Sequence, residues 1–317
     1  MKKQLCTAIL TLGIIVVNEV SAQQDAHFTQ YMFNQMYFNP AATGLENGFR
    51  GGLLYRNQWT GYQGFEGAGG APRNILFTGS LPIYEANTGV GIVINNDQIG
   101  LQNDLNISVN AAYHYKLGKG RLSGGLSVGL HNRSIDVNRY KVNVTSDQVY
   151  QDLLKLGSAP ENVLDVNAGL YYSSDKFFAG FSTRHLPESE FENTRSKMAR
   201  HYYLMGGYNF EVNPDLVVTP SVIWKTDSKQ NQFEVSALAK YNNQFLGGVA
   251  YRQGDAVSAI LGFTAMQNKL RITYSIDLTV PSTEAKELTS HEIMASYFVP
   301  MVMRGPKPII RTPRYRK

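Results

Sequence analysis

Cysteine is nearly absent. The single one, Cys6, falls within the first 22 residues. Those residues read as a secretory signal peptide. Lys2 and Lys3 give a charged start, residues 5–17 an apolar run, and Val20-Ser21-Ala22 a small-residue cleavage site before Gln23. Cys6 lies inside the apolar run, so it is not placed like a lipoprotein cysteine. A mature chain starting at Gln23 has no thiol, which excludes disulfides, thiolate catalysis and Cys–zinc sites.

Long apolar runs are also missing. Beyond residue 22 nothing approaches the roughly 18 residues a membrane helix needs. Charged residues make up only 17% of the chain, whereas Tyr (19), Phe (15) and Gly (29) are plentiful. A soluble secreted β-protein and an outer-membrane barrel both fit that profile.

Catalytic and metal-binding spacings are lacking as well. The histidines at 27, 114, 131, 185, 201 and 291 show neither HxxxH nor HExxH spacing, so no metal site, cofactor site or catalytic residue is expected. A Ser/His pair of the outer-membrane phospholipase kind would face outward, but parity turns His114 and His131 inward. The glycine-rich run at 64–70 has no Lys-Ser/Thr and reads as loop. No feature points to nucleic acid.

What is present is period-2 alternation. Leu105, Ile107, Val109, Ala111, Tyr113 and Tyr115 share one face of a strand, and Asn106, Ser108, Asn110 and His114 the other. The same pattern predicts fourteen strands, at 49–56, 73–83, 88–95, 104–115, 121–133, 163–173, 177–183, 200–210, 217–226, 233–241, 245–252, 257–266, 270–277 and 291–299. Three tests favour a membrane barrel. The connections after even-numbered strands are short and rich in turn residues, whereas those after odd-numbered strands include the long stretches 57–72, 134–162, 184–199 and 278–290; such barrels have short periplasmic turns and longer outer loops. Arg50, Arg56, Arg121, Arg133, Lys225, Lys240, Arg252, Arg271, Asp165, Glu234, Asp277 and Glu292 all fall on the polar face. A Lys or Arg facing lipid at mid-bilayer would cost about 2–4 kcal/mol. Finally, aromatics close the descending strands: Tyr84, Tyr113, Tyr115, Tyr171, Tyr172, Tyr208, Phe210, Tyr241, Tyr297 and Phe298. These would form the periplasmic girdle.

Two segments flank the barrel. Residues 300–317 carry Arg304, Lys307, Arg311, Arg314, Arg316 and Lys317, no acid, and prolines at 300, 306, 308 and 313. A basic, extended periplasmic tail is expected, either solvated against lipid or docking a partner. Residues 27–44, HFTQYMFNQMYFNPAATG, are dense in aromatics and Met. Phe28, Tyr31/Met32 and Gln35/Met36 have helical spacing, and Pro40 ends any helix near Phe38. So many aromatics need a surface to bury them, and the barrel's mouth or lumen is nearest. The resulting layout is 1–22 signal peptide, 23–48 plug or cap, 49–299 barrel and 300–317 tail.

The run from Gln24 to Gly44, followed by FRGGLLYRNQW, RNILFTGSLPI and GVGIVINNDQIG, resembles the start of the PorP/SprF family, outer-membrane proteins of the type IX secretion and gliding machinery of the Bacteroidetes. Tyr31, Met32, Phe33, Asn34, Asn39, Pro40, Ala41 and Gly44 carry the Y-M-F-N-x4-N-P-A-x-x-G core of that resemblance. It implies a non-enzymatic role in secretion or surface attachment of exported adhesins. The implied partners are periplasmic ring and peptidoglycan-binding components, with secreted adhesin cargo outside and outer-membrane lipid around the wall. The expected location is the outer membrane, with both ends in the periplasm. The alternative reading is a hydrophobic small-molecule transporter, because fourteen strands with an N-terminal hatch also describe the long-chain fatty-acid transporters. Such a transporter would need a continuous apolar pocket in its lumen.

Overall fold

The computed structural model describes residues 25–63, 70–137, 159–192, 196–280 and 287–301, with 148, 151 and 154. Residues 1–24, where a signal peptide is expected, the run 64–69, most of 138–158 and the tail cations Arg304, Lys307, Arg311, Arg314, Arg316 and Lys317 lie outside them.

Fourteen antiparallel strands close into a barrel. They are β1 (Gly48–Asn57), β2 (Arg73–Ile83), β3 (Thr88–Ile99), β4 (Gln102–Leu117), β5 (Gly120–Ile135), β6 (Glu161–Ser173), β7 (Phe177–Arg184), β8 (His201–Tyr208, continued as Phe210–Asn213), β9 (Leu216–Thr226), β10 (Asn231–Tyr241), β11 (Phe245–Arg252), β12 (Ala256–Ala265), β13 (Leu270–Thr279) and β14 (Thr289–Pro300). Each pairs with its chain neighbours, and β1 closes the ring on β14 from Gly48↔Pro300 to Asn57↔His291. Every strand read from the alternation is present. A two-residue hairpin, Glu190–Phe191 with Ser196–Lys197, stands apart in the β7–β8 connection. Among the described residues no helix is long and apolar enough to cross a membrane.

The wall is inside out relative to a soluble sheet. On β4, Ile107, Val109, Tyr113 and Tyr115 are exposed while Asn106, Ser108, Asn110 and His114 are buried. Leu126, Val128, Leu164, Leu170, Val249, Leu261 and Ile293 extend the exposed apolar band around the barrel. Arg56, Arg133, Arg252, Asp165, Glu234, Asp277 and Glu292 are buried in the lumen, as parity requires. At one end the strands are joined by short turns with residues in the left-handed region, among them Asn87, Asn242, Asn243 and Asn268. At the other end three connections are also tight (100–101, 227–230 and 253–255), and the rest are long. In bacterial outer-membrane barrels the short-turn end is the one that faces the periplasm.

Two girdle assignments need correction: Phe298 shares the inward face of Met294 and Ser296, with the Arg50 guanidinium 5.0 Å from its ring, while Tyr297 is exposed. Tyr171 does not face the membrane interface. It is buried in the lumen, where its hydroxyl donates to Gln35 Oε1 at 2.6 Å. In the adjacent pair Tyr171-Tyr172, a period of two lets only one face outward.

The N-terminal segment fills the barrel. It forms three short turns, Tyr31–Phe33, Gln35–Phe38 and Pro40–Ala42, rather than one helix. The break falls at Asn34, whose φ of −122° is non-helical. The helical part ends at Phe38, where Asn39 turns extended before Pro40. The main apolar core is therefore not in the wall. It gathers Phe28, Tyr31, Tyr37, Phe38 and Ala41 of the plug with the inward-facing Leu54, Leu76, Val93, Tyr171, Tyr203, Met205, Ile223 and Met294.

Candidate functional site

The contact between plug and wall is where the family-motif residues converge. It runs the length of the lumen. At the periplasmic end, Arg121 of β5 donates to Leu45 O at 2.5 Å. Gly44 adopts φ +70°, and a Cβ there would sit 2.4 Å from Gly89 Cα. Glycine is required on both counts. Next, Asn39 is fully buried. Its Nδ2 donates to Leu170 O (2.9 Å) and Phe181 O (3.3 Å), while its Oδ1 accepts from Ala41 N (2.9 Å) and caps the Pro40–Ala42 turn. Pro40 supplies the first residue of that turn and has no N–H to strand. Ala41 presses on Gly125 of β5, where an added Cβ would lie 2.4 Å from Ala41 N and 2.5 Å from Ala41 Cα. A Gly125→Val variant would therefore push backbone against backbone. The expected result is faster hydrogen exchange and proteolysis at residues 39–44 with the barrel still assembled; unchanged protection there would contradict this packing.

Farther up, Phe28, Tyr37 and Phe38 pack edge to face, with ring centroids 5.1 Å (Phe28–Tyr37) and 5.0 Å (Tyr37–Phe38) apart. Met32 and Phe33 pack at the margin of this cluster, and the Arg271 guanidinium lies 4.2 Å over the Phe33 ring. Asn34 Nδ2 donates to Gln30 O at 3.2 Å. Tyr31 reaches Ser221 and Ser236, each at 2.9 Å, and burial pushes its hydroxyl up to about 12. Burial likewise pushes the Tyr37 hydroxyl up. Both hydroxyls stay neutral.

Above the aromatics the plug meets charge. Glu292 accepts from Thr29 N (2.7 Å) and Gln30 N (3.1 Å) and pairs with Arg56. Asp277 accepts from Thr29 Oγ1 at 2.7 Å and pairs with Arg56 at 2.9 Å. Arg252 joins Glu234 (2.8 Å) and Asp255 (3.0 Å). The inward charges thus pair with one another, and two of them also hold the plug's backbone and hydroxyl groups.

Asp25, the first described residue, meets Arg184 (2.8 Å) and His185 (3.0 Å) at the long-loop end of β7. Met301, the last, bonds Asn47 O at the short-turn end. The described chain thus runs through the barrel from the long-loop end to the short-turn end, with residues 25–44 against the lumen wall. Burial alone would raise the Asp25 carboxyl, but Arg184, His185 and His201 hold it well below the usual range. His185, just past β7 at φ +58°, would be lowered by burial, yet Asp25 and Asp165 carry it up to about 9.

Two cavities flank the plug. An outer one of about 450 Å³ is lined by Asp25, His27, Arg56, Asn74, Asp97 and Gln232, among others. An inner one of about 430 Å³ includes Met32, Phe33, Gln35, Phe178, Lys240 and Arg271 in its lining. Both linings mix polar and apolar groups, and the plug's own residues border both.

The plug's seat was visible in the sequence only as an anomaly. Leu54, Leu76, Val93, Met205, Ile223 and Met294 are apolar residues on otherwise polar faces. Together they mark where the aromatics dock.

Among curated protein sequences none matched. Among solved structures, the Ralstonia pickettii toluene transporter TbuX is similar in fold (TM-score 0.51, 13% identity, covering 82% of this chain and 91% of that one). So is the TodX deltaS2S3 mutant monoaromatic hydrocarbon channel (TM-score 0.51, 13% identity, 84% and 94%). Identity this low speaks for the barrel fold alone. A family model described as type IX secretion system membrane protein PorP/SprF matches residues 20–297. The chain therefore belongs to the PorP/SprF family of type IX secretion system membrane proteins.

Proposed function

We propose that this outer-membrane barrel supports secretion or surface attachment of exported adhesins by working through its two rims and not through its lumen. The observation that carries this reading is the plug. It is tied to the wall along its whole described length, from Leu45 to Asp25, by hydrogen bonds and ion pairs. A lumen closed in this way serves as a scaffold. Cargo would meet the long outer connections, chiefly 57–72 and 134–162. Periplasmic ring and peptidoglycan-binding components would meet the short-turn rim and the basic residues Arg304, Lys307, Arg311, Arg314, Arg316 and Lys317. The family is one of secretion components, which supports a non-enzymatic role.

A small-molecule transporter is the second reading, favoured by the fold similarity to hydrocarbon channels. The lumen speaks against it. Its apolar surface is covered by Phe28, Tyr31, Tyr37 and Phe38, and the outer cavity is lined by charged and amide side chains. A clean deletion separates the two. The expected result is loss of surface display of a specific exported adhesin with hydrophobic-substrate uptake unchanged. Normal display with impaired uptake would favour the transporter and sink the secretion reading.

A further inference from the structure

No spacing motif in the sequence joins Asp25, His185 and His201, yet the fold brings them together. Asp25 opens the plug, His185 follows β7 and His201 begins β8. One ligand-capable atom from each lies within 4.8 Å of the other two. His185 Nε2 is 3.0 Å from Asp25 Oδ1. The His185 and His201 rings are 5.7 Å apart at 82°.

Three features distinguish this cluster from an ordinary buried ion pair. First, the far nitrogen of each imidazole is already fixed. His185 Nδ1 is 2.9 Å from Asp165 Oδ1, and His201 Nδ1 is 2.9 Å from Ala199 O. The Ala199 carbonyl accepts from His201 Nδ1 and so leaves His201 Nε2 as a lone pair, the arrangement found behind metal-bound histidines, and Asp165 holds the His185 ring from behind in the same way. Second, His201 is 6% exposed, and its Nε2 is buried without a hydrogen-bond partner among the described residues. Such an atom costs free energy unless something binds it. Third, a cavity of about 60 Å³ borders Asp25, His185 and His201, enough for an ion with a water molecule.

We infer that Asp25, His185 and His201 form a site for one divalent transition-metal ion of the zinc class. Two imidazoles and one carboxylate oxygen match the donor set of a three-ligand zinc site, with a fourth position left for water. Asp25 Oδ2 stays with Arg184 (2.8 Å) and Tyr203 (2.5 Å), which leaves Oδ1 for the ion and aims it. Because Asp25 belongs to the plug and both histidines to the wall, the ion pins the plug's first described residue to the barrel. The outer cavity, which Asp25 also lines, gives it a route in from outside.

The test uses the full mature barrel in detergent, stripped with EDTA and titrated with ZnCl₂ by calorimetry. Wild type is expected to bind one Zn²⁺ per chain, and His201→Ala to bind it about a hundredfold or more weakly, since a direct ligand outweighs the hydrogen-bond partners behind the ligands, whose loss already costs about 10–100-fold. Heat-modifiable migration checks that the variant barrel is assembled. Equal binding by His201→Ala, or no stoichiometric binding by wild type, overturns the assignment. If the variant does not assemble, zinc-edge X-ray absorption on the wild type decides. Two imidazole nitrogens with oxygen donors at about 2.0–2.2 Å are expected, and a shell without imidazole contradicts the site.

Discussion

Deleting residues 25–44 is expected to turn a closed barrel into a conducting one. The segment contributes Phe28, Tyr31, Tyr37, Phe38 and Ala41 to the core, and the cavities of about 450 and 430 Å³ lie on its two sides. Without it they merge into one water-filled lumen lined by the paired charges of the wall. The wall itself keeps its ladder of strand pairs, including the closing β1–β14 register, so the barrel is expected to insert. Burying each large aromatic contributes about 1.5–3 kcal/mol, and the deletion also bares Leu54, Leu76, Met205, Ile223 and Met294 to water. The variant should therefore denature at lower temperature than wild type. Planar-bilayer conductance is the direct readout: steady channels for the deletion, none for wild type. Cells carrying the variant should also gain sensitivity to large antibiotics that the outer membrane normally excludes. Equal conductance in the two would mean that the plug does not seal the lumen.

The second large effect is expected from Glu292→Ala. The carboxylate is fully buried, pairs with Arg56, and accepts from the backbone N–H groups of Thr29 and Gln30. Removing it leaves Arg56 with Asp277 at 2.9 Å and leaves both amides without their acceptor. Breaking one partner of a buried pair costs about 3–5 kcal/mol, mostly for the charge and polar groups left behind. The loss should concentrate on the plug. Amide exchange at residues 29 and 30 should accelerate by orders of magnitude, while β13 and β14 stay protected. Glu292→Gln keeps an acceptor oxygen and should cost less. An Ala variant indistinguishable from wild type at those two amides would show that the charged layer does not hold the plug.

The barrel was readable because each strand repeats the same period-2 rule. The strand β4, with Ile107, Val109 and Tyr113 on one face and Asn106, Ser108 and Asn110 on the other, needs no tertiary information to be placed. The inversion was readable too, since Arg56, Arg252, Asp277 and Glu292 can share a face only if that face avoids lipid. Tyr171 failed because a girdle was read from aromatic content, whereas parity alone separates it from Tyr172. The plug was readable as a segment that must be buried, but not in its direction. Helical spacing at Tyr31 and Gln35 says which side chains share a face. It does not say which end of the barrel the chain points to, and only the contacts of Asp25 with Arg184 and of Leu45 with Arg121 fix that. The Asp25–His185–His201 cluster was invisible for a related reason. Its members are joined by pairing β7 to β8 and by threading the plug past both, and neither step leaves a local pattern.

The central claim is that the lumen stays sealed while the barrel supports display. The lack of other thiols in a chain starting at Gln23 allows a direct test. Gln35 and Tyr171 touch through a 2.6 Å hydrogen bond between plug and wall. A Gln35→Cys/Tyr171→Cys pair joined by a short bis-maleimide would fix the plug in its seat. Surface display of the exported adhesin is then measured with and without the cross-link. Display at the same level in the cross-linked state is the expected result. Loss of display on cross-linking, restored when either cysteine is omitted, would mean that the plug must leave the barrel for secretion and would contradict it.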